Sequence, residues 1–167
     1  KILPIYNEAG LDIDYEWQFK VGEKLLTAGT RLNYRNIALT AAMNIPWIKV
    51  RRQPRVAILS TGDELVLPGE RIGSHQIISS NNIGIAALVL ANGGIPINLG
   101  IAKDTSDSLK NMLSDLSGID MLVTIGGASV GDYDLVKSVL GEKGLNIKFS
   151  SVAMRPGKPL IFGDIMG

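Results

Sequence analysis

The chain has 167 residues, 46% of them hydrophobic, and no cysteine, which excludes disulfides and thiolate metal sites. Its 17 basic and 16 acidic residues leave a formal charge of +1, a balance that argues against broad nucleic-acid binding, which needs a clustered basic face. The longest apolar stretch, Ile83 to Ala91, falls far short of the ~20 residues that a membrane span needs, and no signal-peptide pattern is visible; the lack of cysteine is compatible with a reducing cytoplasm, the expected location.

Residues 1–52 mix short apolar runs with turns such as "TAGTR". One helix is expected here, with Asn33 as N-cap, apolar positions at Ile37, Leu39, Ala42 and Met43, and an end near Asn44-Ile-Pro46. "WIKVRR" reads as a strand leading out, and "QPR" (53–55) as a linker, because Pro54 disfavours a helix or central strand. The two tryptophans, Trp17 and Trp47, are expected to serve packing, and His75, the only histidine, to lie in a surface loop.

From Arg55 the texture becomes regular. "RVAILS" is a β-branched run that stops at Thr61-Gly62. After "SSNN" a helix is expected, with Ile83, Ala86, Ala87 and Leu90 spaced for burial and Gly93-Gly94 as its stop. "IPINLGIA" is the next strand. Leu109, Met112, Leu113 and Leu116 then make an i, i+3, i+4, i+7 stripe in a helix over 105–116. "IDMLVTI" reads as a strand buried on both sides. Leu135, Val136, Val139 and Leu140 mark another helix closed by Gly144, and "NIKFSSV" and "PLIFGDI" are further strands. This alternation predicts an α/β fold over 55–167, three-layered, with a mostly parallel sheet and helices on both faces, plus a small N-terminal α+β piece over 1–52.

Open parallel sheets bind ligands at the carboxyl ends of their strands. Four loops are expected there: "STGDE" (60–64), "AKD" (102–104), "GGASVGDYD" (126–134) and "RPGKP" (155–159). The third is not a P-loop, since Asp132 follows Gly131 where Lys would stand. Nor is it a dinucleotide fingerprint, since Ala128 occupies the third glycine's place. It remains a backbone nest at a helix N-terminus, able to hold one anion. Asp132 and Asp134 beside it are explained either as helix caps or as ligands of a divalent cation bridging to phosphate. Asp104 has an equally simple alternative as N-cap, with Asp107 three residues on. Asp63 and Glu64 are a solvated pair or site carboxylates, and Arg155 and Lys158 are a basic turn or a phosphate grip. Together the loops suit metal-assisted phosphate chemistry on a small molecule.

"RVAILSTGDELVLPGE", "GGASVGDYDLVK" and "AMRPGKPLIFG", in this order, resemble the MoeA/gephyrin family of molybdopterin molybdenumtransferases, as does "VGEKLLTAGTRLNYRNIALTAAMNI" upstream. The resemblance covers roughly residues 20–167. It implies the MoaB/Mog-like molybdopterin-binding fold over 55–167, truncated at its C-terminal end, with 1–52 as the C-terminal part of the preceding domain and its linker. The first residue, Lys1, and the absence after "FG" of the family's "GLPGNPVS" segment fit a piece of a longer protein. The implied reaction takes adenylylated molybdopterin and molybdate, inserts molybdenum and releases AMP with Mg²⁺. A homodimer and an adenylyltransferase partner are implied for the full-length protein, with no nucleic acid or membrane, and weak binding without turnover is expected of this stretch alone. The resemblance implies Asp134, Glu64 and Asp104 as catalytic residues. It implies Thr61, Gly62, Asn81, Gly126, Gly127, Ser129, Gly131, Arg155 and Lys158 as cofactor-binding residues, and Asp63, Glu64, Asp132 and Asp134 as metal ligands. Departures are Arg155 for the family's Lys, Ser79 for an acid, Ile78 for an aromatic and Ala128 for Val. Other Mog-fold activities, namely molybdopterin adenylyltransferase or a competence-damage-type pyrophosphatase, and a gephyrin-like scaffold are the alternatives.

Overall fold

In the computed structural model, residues 5–6, 22–126 and 135–165 are described. The chain divides into two units, Lys1–Arg52 and Gln53–Gly167. In the first, strand β1 (Ile5–Tyr6) pairs antiparallel with β2 (Lys24–Leu26), and helix α1 spans Tyr34–Ala42. Asn33 caps α1 as its sequence predicts. Its Oδ1 accepts the N–H groups of Arg35 at 2.9 Å and Asn36 at 3.1 Å, while Asn36 Oδ1 accepts the Asn33 N–H in return. The expected strand at "WIKVRR" is absent, its residues having no regular structure, and Trp47 is 89% exposed rather than packed.

The second unit is built on a parallel sheet of three strands, β3 (Arg55–Thr61), β6 (Ile95–Ala102) and β7 (Met121–Ile125), in the order β6-β3-β7. Between β3 and β6 lie the short parallel pair β4 (Leu65–Val66) and β5 (Ile77–Ile78) and helix α2 (Asn81–Ala91). Helix α3 (Ser106–Met112) connects β6 to β7, and α4 (Leu135–Glu142) precedes the antiparallel pair β8 (Leu145–Ser151) and β9 (Pro159–Ile165). Central β3 is buried on both faces from Val56 to Thr61, which is why its sequence is a continuous apolar run ending in hydroxyls. One face carries Leu59 and Ala102 against Leu109, Leu113, Val136, Val139 and Leu140 of α3 and α4. Alternation along β3 turns Ser60 to the opposite face, where its Oγ lies 3.2 Å from Ser79 Oγ beside α2. The result is the expected three layers, helix–sheet–helices.

Three expectations need correction. Strands β8 and β9 do not extend the parallel sheet but pair with each other antiparallel, their register shifted near Phe149. Strand β7 is only half-buried, with Met121 53% exposed, because its sole ladder among the described residues is to β3. In α2, Ile83, Ala87 and Leu90 are exposed, whereas Asn82, Ile85, Ala86 and Val89 turn inward. That helix carries no charge, so its sequence has no polar face to fix its phase.

Candidate functional site

The chain runs from β3 to β6 on one side and then crosses to β7 on the other. Helix α2 packs against β3 and β6, while α4 joins the core on the other face, the arrangement in which open parallel sheets bind ligands in a crevice at the carboxyl ends of their strands. Its floor is the contact between Thr61 and Gly126. Gly126 has φ +88°, a conformation open to glycine, and a Cβ there would collide with the Thr61 carbonyl oxygen and lie 3.0 Å from its Oγ1. Thr61 is 4% exposed, and its hydroxyl has no hydrogen-bond partner among the described residues. An unpartnered buried hydroxyl costs about 1–3 kcal/mol, so its persistence at the crevice marks a place for an added partner.

The acids lie on the loops that follow β3 and β6. Gly62 N–H donates to Ala102 O at 3.2 Å, and Leu65 N–H closes a turn onto Gly62 O at 3.2 Å, with Asp63 and Glu64 at its tip. Asp63 Oδ1 accepts the Asp104 N–H at 3.3 Å, which brings the "TGDE" and "AKD" loops together. The capping role expected of Asp104 belongs instead to Thr105. Its hydroxyl accepts the Ser108 N–H at 3.3 Å, while Ser108 Oγ accepts the Lys103 N–H at 3.0 Å. Threonine in an extended conformation performs that task, and Asp104 is left exposed outside the helix. Asp107 lies in the first turn of α3, where a negative charge suits the helix dipole.

The opposite face of the same edge holds a polar cluster that the sequence reading missed. Ser60, Ser79 and Asn82 are buried; Asn82 Oδ1 accepts the Ile83 N–H at 2.9 Å, and its Nδ2 has no partner among the described residues. An amide inside an otherwise apolar helix was the available signal. Asn81, expected at the site, is the exposed first residue of α2. Arg155 and Lys158 lie on the exposed turn between β8 and β9, so the rule for parallel strands that unites the other loops does not extend to them. Gly127, Ser129, Gly131, Asp132 and Asp134 fall outside the described residues. Among the described residues no three His, Cys, Asp or Glu side chains form a group able to hold a metal ion. No described helix is long and apolar enough to cross a membrane.

Residues 57–167 match the family model described as "Probable molybdopterin binding domain". Among curated proteins, a molybdopterin molybdenumtransferase of Nostoc sp. is 47% identical over 143 residues, covering 85% of this chain and 33% of that protein. Gephyrin of Dictyostelium discoideum is 35% identical, covering 86% and 22%. Among solved structures, a molybdopterin biosynthesis MoeA protein from Pyrococcus horikoshii superposes with a TM-score of 0.73 at 37% identity, covering 87% of this chain and 36% of that one. The chain thus spans about a third of the length of the molybdenumtransferases it matches. With the three-layer α/β fold and the carboxyl-edge crevice in place, the match identifies this chain as a member of the probable molybdopterin-binding domain family.

Proposed function

We propose that the protein to which this stretch belongs acts in molybdenum cofactor biosynthesis, inserting molybdenum from molybdate into adenylylated molybdopterin with release of AMP. The observation that carries this reading is the carboxyl edge of the sheet, where Thr61, its hydroxyl unpartnered among the described residues, meets Gly126, and where Asp63 and Asp104 join the loops after β3 and β6. Its donors are hard oxygens, which fit Mg²⁺ better than a softer ion. Mg²⁺ keeps several waters and takes one or two carboxylates plus substrate phosphates rather than a full set of protein ligands. Bound there, the cation would neutralise charge on the phosphate leaving with AMP.

In this reading the cation takes one or two carboxylates from among Asp63, Glu64, Asp132 and Asp134, while Asp134, Glu64 and Asp104 act on the reacting groups. Thr61, Gly62 and Asn81 line the pterin end. Gly126, Gly127, Ser129 and Gly131 offer backbone N–H groups to a phosphate, and Arg155 and Lys158 grip an anionic group. We further propose, on the family resemblance of its motifs alone, that the full-length protein is a cytoplasmic homodimer supplied with substrate by a molybdopterin adenylyltransferase.

The test uses the intact protein with adenylylated molybdopterin, molybdate and Mg²⁺, following AMP and active cofactor. AMP release that depends on Mg²⁺, and falls on Asp104→Asn or Asp134→Asn without loss of folded protein, is the expected result. AMP release indifferent to the metal would overturn it, and adenylyl transfer from ATP would assign the adenylyltransferase activity instead.

A further inference from the structure

We propose that Gly62 is a positioning residue: the space its missing side chain leaves is the seat of the Glu64 carboxylate, an inference that rests on the function proposed above. A Cβ on Gly62 would lie 2.6 Å from Glu64 Oε2, 2.7 Å from Oε1 and 2.8 Å from Cδ. Both carboxylate oxygens are thus folded back over the Gly62 backbone, where any other residue would carry a side chain.

The backbone around this seat is held from several directions. Gly62 is buried, its N–H bonded to Ala102 O at 3.2 Å and its carbonyl to Leu65 N–H at 3.2 Å. The Glu64 carbonyl accepts the Ile77 N–H at 2.9 Å from β5. Asp63, between them, is engaged with the Asp104 N–H. The exposed Glu64 side chain is free to rotate, and the open face of Gly62 is what admits the position it takes. In this proposal a carboxylate that rests there loses less rotamer freedom when a cation binds, so the seat pre-organises the ligand.

Gly62 also has φ +148°, which by itself favours glycine. The two roles separate in a double-mutant cycle, because a backbone preference is indifferent to residue 64 whereas a seat is not. Mn²⁺ affinity, read by electron paramagnetic resonance with Mn²⁺ alone as the probe, is measured for the wild-type chain, Gly62→Ala, Glu64→Ala and the double variant. Gly62→Ala is expected to weaken Mn²⁺ binding by roughly 10- to 100-fold when Glu64 is present. It should add nothing once residue 64 is Ala. Equal weakening in both backgrounds, or none in either, overturns the proposal. Should Gly62→Ala fail to fold, Glu64→Asp replaces it; its shorter arm cannot reach the seat, so wild-type affinity in that variant is equally fatal.

A metal-free measurement keeps this inference apart from the function it rests on. The wild-type chain should show a nuclear Overhauser contact between Gly62 Hα and Glu64 Hγ, and its absence overturns the seat whatever the metal result. A wild-type chain that shows the contact yet binds no Mn²⁺ overturns the proposed cation site and leaves the seat standing.

Discussion

Replacing Gly126 by Ala tests the floor of the crevice. The left-handed backbone at φ +88° alone costs a non-glycine residue about 1–2 kcal/mol. The added Cβ must also displace the Thr61 carbonyl, which is strand backbone and cannot swing aside, at about 1–3 kcal/mol more. Gly69 provides the control: its φ is +92°, yet a Cβ there meets nothing within 4 Å. Gly69→Ala should therefore lose only the backbone part. In urea denaturation, with a slope of about 1–3 kcal/mol per M, the midpoints of the two variants should differ on the order of 1 M, Gly126→Ala being the weaker. Equal losses at the two positions would refute the claim that β3 and β7 are in backbone contact at this edge.

Leu113→Ala, at a position with 0% exposure in the α3–α4 core, should destabilise by about 2–5 kcal/mol in the same assay. Asp63→Asn keeps an acceptor for the Asp104 N–H and should leave its hydrogen exchange near wild type, whereas Asp63→Ala should speed it by about 2- to 12-fold, the equivalent of one modest hydrogen bond. The Ser117 hydroxyl and N–H, at 2.6 and 2.9 Å, hold the Asp115 carboxyl below its ordinary range. Its contribution to stability is thus present above the unfolded-state value and is lost as pH falls through the lowered one; carbon-detected titration should show Ser117→Ala moving that value back up.

What could be read from sequence followed from how strongly each element's pattern constrained it. Helices α3 and α4 were legible because Leu109, Leu113, Val136 and Val139 alternate with polar neighbours at a helical period, and all four are buried. Helix α2 was legible as a helix but not in its rotation, since apolar residues surround it. Strands β8 and β9 were found to within a residue, but pairing direction is set by tertiary packing and leaves no mark in a period-2 pattern. At the site, the glycines and acids could be selected by type and loop position. Which of two adjacent residues caps a helix depends on local dihedral angles, and so the role of Asp104 was not legible. Nor was the buried Asn82, because amides are mostly exposed.

The transfer of capping from Asp104 to Thr105 divides labour between neighbouring codons. Thr105 caps α3 with its side chain, whereas the Asp104 side chain takes no part in that cap and, in the function proposed above, serves the ligand. A library scored for cellular abundance should accept at 105 chiefly Ser, Asp and Asn, the other good caps, while tolerating nearly anything at 104. Scored for cofactor production, the intolerance should move to 104. Selection can then retune the warmth this domain endures without touching its chemistry, because the two demands fall on separate side chains.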